Sequence, residues 1–134
     1  MAEKILIVED DHDLRRALTI RLQASGYEVI TAEDGLFAVS KARNEHPDLV
    51  LLDIGLPCGD GLSVLERYRK LPDLKSIPVV VLTGQDPAVT EPAVRPFHVA
   101  AFLRKPVDND ILLSTIFDAL ADPIDEEAFD RYYR

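Results

Sequence analysis

Three short segments contain almost nothing but aliphatic side chains: Lys4–Val8 (KILIV), residues 49–52 (LVLL) and residues 78–83 (PVVVLT). A strand with one wet face alternates apolar and polar residues. Unbroken apolar runs of this length instead mark strands covered on both faces, as in parallel sheets. Weaker strand signals lie at 27–32 (YEVITA) and 99–105 (VAAFLRK). Between the runs, apolar residues recur at helical spacing: Leu14, Leu18 and Leu22; Leu36, Val39 and Ala42; Leu62, Leu65 and Tyr68; and Ile111, Leu112, Ile116 and Leu120. Strand and helix alternate. Right-handed crossovers between parallel strands then predict a doubly wound α/β sheet.

The 134-residue chain fits one domain with its own core. We place that domain at 1–121 and an acidic C-terminal tail at 122–134. The formal net charge of −9 opposes direct nucleic-acid binding, which needs basic surface to neutralise phosphates. No apolar run approaches a membrane span and no basic stretch precedes a signal-type segment, so a cytoplasmic protein without membrane contact is expected. The single cysteine, Cys58, agrees with a reducing compartment.

Ligands of doubly wound sheets bind at the carboxyl ends of the strands. Glu9, Asp10 and Asp11 follow the first strand, Asp53 ends the third, Thr83 ends the fourth, and Lys105 ends the fifth, followed by Pro106. Glu9, Asp10 and Asp53 would bring three carboxylates together with one amine. A like-charged pair about 4 Å apart costs on the order of 4 kcal/mol at an effective dielectric near 20, so the pocket calls for a proton or a cation. Carboxylate oxygens suit Mg²⁺. Carboxylates, a hydroxyl and an amine together match phosphoryl transfer to a carboxylate nucleophile.

The motifs ILIVEDD, LLDIGLPCGDG, VLTG and FLRKP, in this order and spacing across residues 3–121, resemble the receiver domain of bacterial two-component response regulators. The resemblance implies a five-stranded, flavodoxin-like sheet of order 2-1-3-4-5. It implies phosphorylation of Asp53 by a histidine kinase or a histidine phosphotransfer protein, changing affinity for an output partner. Mg²⁺ would be held by Asp10, Asp53 and the Gly55 carbonyl, with Glu9 in its outer shell. Thr83 and Lys105 would contact the phosphoryl group, and Thr83 and Phe102 would form the switch. Such a chain is a monomer or weak dimer and turns over no external substrate. Two rivals stand beside it: a scaffold that works without phosphorylation, and a phosphatase of the haloacid-dehalogenase type. The second normally carries an Asp where this chain has Gly55.

Three departures from the family pattern stand out. Phe102 replaces the frequent tyrosine, Gly55 and Gln85 occupy positions that affect phosphoryl lifetime, and Pro87, Pro92 and Pro96 crowd the place of the fourth helix. An interior proline costs roughly 3 kcal/mol in a helix, which predicts an irregular or shortened element there. Plainer readings cover other residues. Asp10 or Asp11, Asp34, Asp60 and Asp108 precede helices as caps. His12, His46 and His98 lack metal-site spacing, and the GDG at 59–61 lacks the rest of a dinucleotide fingerprint. Phe129, Tyr132 and Tyr133 read either as a docking segment or as part of a loosely ordered terminus.

Overall fold

The computed structural model describes residues 2–55 and 61–121. Five parallel strands, β1 (Lys4–Val8), β2 (Glu28–Ala32), β3 (Leu49–Leu52), β4 (Val79–Thr83) and β5 (Ala101–Arg104), form one sheet of order β2-β1-β3-β4-β5. Helices α1 (His12–Ala24), α2 (Gly35–Glu45), α3 (Gly61–Lys70), α4 (Pro87–Val94) and α5 (Asn109–Ala121) cover both faces. The expected architecture and strand order are what the structure shows.

The two-residue period of the strands explains the all-apolar runs. Leu6, Val8, Val50, Leu52, Val79 and Val81 enter one cluster, with residues of α2, α3 and α4. Their neighbours Ile5, Ile7, Leu49, Leu51, Val80 and Leu82 enter the other, with α1 and α5. Each central strand therefore needs apolar residues at every position. The edge strands β2 and β5 are only partly buried, and this is why their sequences signal more weakly.

Some expected helix positions differ. On α2 the buried face is Gly35, Ala38, Val39 and Ala42, whereas Leu36 is 66% exposed. An i, i+3, i+6 series drifts around a helix of 3.6 residues per turn, so Leu36 falls off the face that Val39 and Ala42 share. On α5, Leu112, Ile116 and Ala119 are buried while Ile111 is exposed. The caps are better determined. Asp11 accepts from the Leu14 amide, Asp34 from those of Leu36 and Phe37, and Asp108 from those of Asp110 and Ile111. Asp60, Cys58 and the tail fall outside the described residues.

The fourth helix forms, but it is short. Asp86 caps it by accepting from the Ala88 amide, and Pro87 stands in the first turn, where a missing N–H costs nothing. Pro92 removes one interior bond, and after Val94 the chain tightens into a 3₁₀ turn, Arg95–Phe97. His98 closes that turn in the left-handed region at φ 53°.

A buried arginine holds this irregular stretch. Arg69, near the end of α3, donates from Nε to the Phe97 carbonyl at 2.7 Å and from Nη1 to the Lys75 and Ile77 carbonyls at 3.1 Å. Its Nη2 reaches the His98 carbonyl at 3.4 Å. One guanidinium thus satisfies the loop before β4 and the turn before β5. Arg69→Met keeps most of the apolar stem and leaves these carbonyls unpaired. It is expected to lower the unfolding free energy by about 2–4 kcal/mol, measured by urea denaturation. A loss within the error of the measurement would contradict the clip.

Candidate functional site

The carboxyl ends of β1, β3, β4 and β5 lie side by side, and the register of the sheet sets what meets there. Val8 pairs with Leu52, so the residues that follow them, Glu9 and Asp53, emerge together. The Asp53 amide donates to the Val8 carbonyl at 2.9 Å and the Glu9 amide to the Ala32 carbonyl at 3.1 Å, extending the ladder by one step. On the other side, the Lys105 amide donates to the Thr83 carbonyl at 2.8 Å. The Lys105–Pro106 peptide is cis.

Lys105 links the group. Its Nζ lies 2.6 Å from Glu9 Oε1 and 3.1 Å from Asp53 Oδ2. Glu9 is 2% exposed and Asp53 8% exposed, while Asp10 is open to solvent. Carboxylate oxygens of Glu9, Asp10 and Asp53 all lie within 4.8 Å of one another. The other Asp53 oxygen, Oδ1, accepts from the Gly55 amide at 2.9 Å. Both oxygens of the nucleophile candidate are therefore held, one by a backbone donor and one by an amine. This set of hard oxygen donors fits a small divalent cation.

The neighbouring charges shift the titration of two groups. Burial pushes the Glu9 carboxyl up to about 7, and the nearby Asp53 adds to the rise, while the bond to Lys105 opposes it without cancelling it. Burial depresses the Lys105 ammonium, but the bond to Glu9 and the charges of Asp53 and Glu9 outweigh it and hold its pKa above the ordinary value. The pocket carries more negative charge than one amine can balance.

Thr83 is buried at the end of β4, and its Oγ1 accepts from the Gln85 amide at 3.2 Å. Phe102 lies on β5 away from the carboxylates, packed against the apolar cluster that contains Val94. Beside it opens a cavity of about 330 Å³, lined by Val94, His98 and Val99 among others. A side chain at Gly55 would meet the Gln85 side-chain nitrogen Nε2 at 3.5 Å and Asp53 Oδ1 at 3.6 Å, ordinary contact distances. Space beside the carboxylate is left open by glycine and bordered by Gln85.

Sequence reasoning placed Glu9 behind the other acids, yet it makes the shorter bond to Lys105. Two contributors had no sequence signal. Arg15 Nη1 donates to the Glu9 carbonyl at 3.0 Å, steadying the acidic loop from the first turn of α1. Gly61 starts α3 against the end of β3, its amide donating to the Ile54 carbonyl at 2.9 Å. A Cβ there would collide with the Ile54 backbone and sit 2.8 Å from the Asp53 carbonyl oxygen, so only glycine lets the helix approach.

Because Glu9 titrates higher in the fold than its ordinary value of 4.5, its contribution to stability is fullest below about 4.5 and is lost as pH rises through about 7. In chelator, wild type should lose on the order of 1–3 kcal/mol relative to Glu9→Gln between these pH values. Denaturation across the pH series measures this. A difference independent of pH would contradict the assignment.

Comparison with known proteins points the same way as the geometry. The family described as response regulator receiver domain matches residues 5–117. The polar-differentiation response regulator DivK of Brucella ovis is 34% identical over 122 residues, covering 91% of this chain and 99% of that protein. A CheY-like response regulator receiver domain protein of Methanospirillum hungatei superposes with a TM-score of 0.84 at 30% identity, over 90% of this chain and 95% of that one. The phosphorylated cyanobacterial phytochrome response regulator RcpA does so with a TM-score of 0.75 at 32% identity, over 87% and 89%. With its sheet order, its acidic pocket and this match over most of its length, the chain belongs to the response-regulator receiver family.

Proposed function

We propose that this receiver domain is a phosphoacceptor switch in which Asp53 takes a phosphoryl group from the phosphohistidine of a histidine kinase or a histidine phosphotransfer protein. The observation that carries the reading is the buried Asp53 carboxylate, oriented by the Gly55 amide and Lys105 Nζ beside two further acids. The phosphorylated state of RcpA supports it by relationship.

In the reaction, an Asp53 oxygen attacks phosphorus and the bond from phosphorus to the donor imidazole nitrogen breaks. The electron pair of that bond leaves with the imidazole, and a carboxyl phosphate anhydride remains on Asp53. Lys105 Nζ, already against the carboxylate, balances the charge of the incoming oxygens, and the Thr83 hydroxyl is the second donor. Mg²⁺, held by Asp10, Asp53 and the Gly55 carbonyl with Glu9 in its outer shell, would neutralise charge on the transferring group.

The product changes what Thr83 and Lys105 face. A phosphoryl group on Asp53 accepts from the Thr83 hydroxyl, whose oxygen already accepts from the Gln85 backbone amide, and competes with Glu9 for Lys105. Movement of Thr83 toward it opens room on the Phe102 side, next to the 330 Å³ cavity. Phe102 has no hydroxyl, so its part in the switch is burial alone. Turnover of an external substrate is not part of this reading. A scaffold that needs no phosphorylation would leave the Glu9–Lys105–Asp53 set without a role.

Acetyl phosphate with Mg²⁺, followed by intact-mass measurement, tests the proposal. Wild type should gain one phosphoryl group and Asp53→Asn none, since an amide is no longer an effective nucleophile. Lys105→Ala should slow adduct formation on the order of 10-fold or more while the protein stays folded. An equal adduct on Asp53→Asn would refute the phosphoacceptor.

A further inference from the structure

On the α1/α5 side of the sheet, a groove of about 400 Å³ is lined by Leu14, Leu18 and Arg21 of α1, Leu82 of β4, and Lys105, Pro106 and Val107 of the β5–α5 turn. Its floor is apolar and its two cations stand at different places along it. Lys105 is paired with Glu9 and Asp53. Arg21 has no acidic partner among the described residues.

We propose that the C-terminal segment 122–134 of this same chain folds back and seats its aromatic residues in this groove. Three observations favour this occupant. The first is reach. The 13 residues of α5 rise about 18 Å at 1.5 Å per residue, from the turn at Val107 to Ala121. A following segment of 13 residues returns over that distance either as a helix of about 20 Å or more extended, up to about 43 Å. The second is charge. Asp122, Asp125, Glu126, Glu127 and Asp130 outnumber Arg131 and Arg134, opposite in sign to Arg21 and Lys105. The third is apolar content: Phe129, Tyr132 and Tyr133 lie within five residues of one another, with Ile124 and Ala128 just before them.

Size separates this occupant from its rivals. A slot of this volume receives one or two aromatic side chains, whereas a stable dimer buries about 800 Å² on each partner. A covalent tether raises the local concentration of the segment to the millimolar range, so a few aromatic contacts and one ion pair suffice to hold it. The inference does not depend on the phosphoacceptor reading, because it concerns a surface beside the carboxylate pocket.

Methyl-resolved NMR of the full chain tests the docking. Ring protons of Phe129, Tyr132 or Tyr133 should show through-space contacts to methyls of Leu14, Leu18 or Val107 within one molecule. The triple variant Phe129→Ser/Tyr132→Ser/Tyr133→Ser should abolish them and shift the groove methyls, and Arg21→Glu should weaken them. Arg21 is exposed on α1. Absence of the contacts in wild type would overturn the proposal. So would contacts found only between differently labelled molecules, which would make a second copy the occupant. A groove that responds only when a histidine phosphotransfer protein is added would assign it to that partner and equally overturn the proposal.

Discussion

One ammonium group governs the site. Lys105 Nζ stands between Glu9 and Asp53 at 2.6 and 3.1 Å, and it is the amine that these two of the three clustered carboxylates share. Two charges of like sign about 4 Å apart repel by on the order of 4 kcal/mol near a protein surface, and one cation offsets only part of that. Burial is the main cause of the raised Glu9 pKa, and the neighbouring Asp53 adds to it. A pocket left short of positive charge is suited to bind a divalent cation and then a phosphoryl group, since each ligand restores the balance for the next.

The rest of the fold serves to hold that amine in place. Lys105 sits more than fifty residues from Asp53 in sequence, and only the β4–β5 pairing and the bond from its amide to Thr83 bring it there. β5 is an edge strand, partly buried, and the segment leading into it contains two prolines and a left-handed histidine. Arg69 compensates for this irregularity by binding the carbonyls of Phe97 and His98. α4 is therefore a short, capped helix, and the turn that follows it is tied to α3 through Arg69.

Much of this was legible in the residues. Unbroken aliphatic runs of four to six residues, alternating with helical patterns, read as strands packed on both faces, and the residue that ends each run then has a known position at the sheet edge. Glu9, Asp10, Asp53, Thr83 and Lys105 were placed at the strand ends in this way. What the sequence did not disclose depends on contacts between distant segments. Arg69 reads as one more cation in the last turn of α3, alongside Arg67 and Lys70, and nothing in its neighbours says that it alone is buried. Gly61 stands out in the sequence only as part of the GDG at 59–61, though its lack of a side chain is what lets α3 lie against Ile54. Leu36 was misplaced because one three-residue spacing cannot fix the phase of a helix. The order of Glu9 and Asp53 around Lys105 is a matter of side-chain reach, which spacing does not encode.

The claim that unbalanced negative charge defines this pocket is tested most directly by the unfolding free energy of wild type and Asp53→Asn at pH 8, in chelator and in saturating Mg²⁺. Removing one carboxylate relieves repulsion, so the variant should be more stable than wild type in chelator, by about 1–2 kcal/mol after screening. Mg²⁺ should stabilise wild type and close that gap, with little effect on the variant. A variant less stable than wild type in chelator, or equal stabilisation of both proteins by Mg²⁺, would contradict the account.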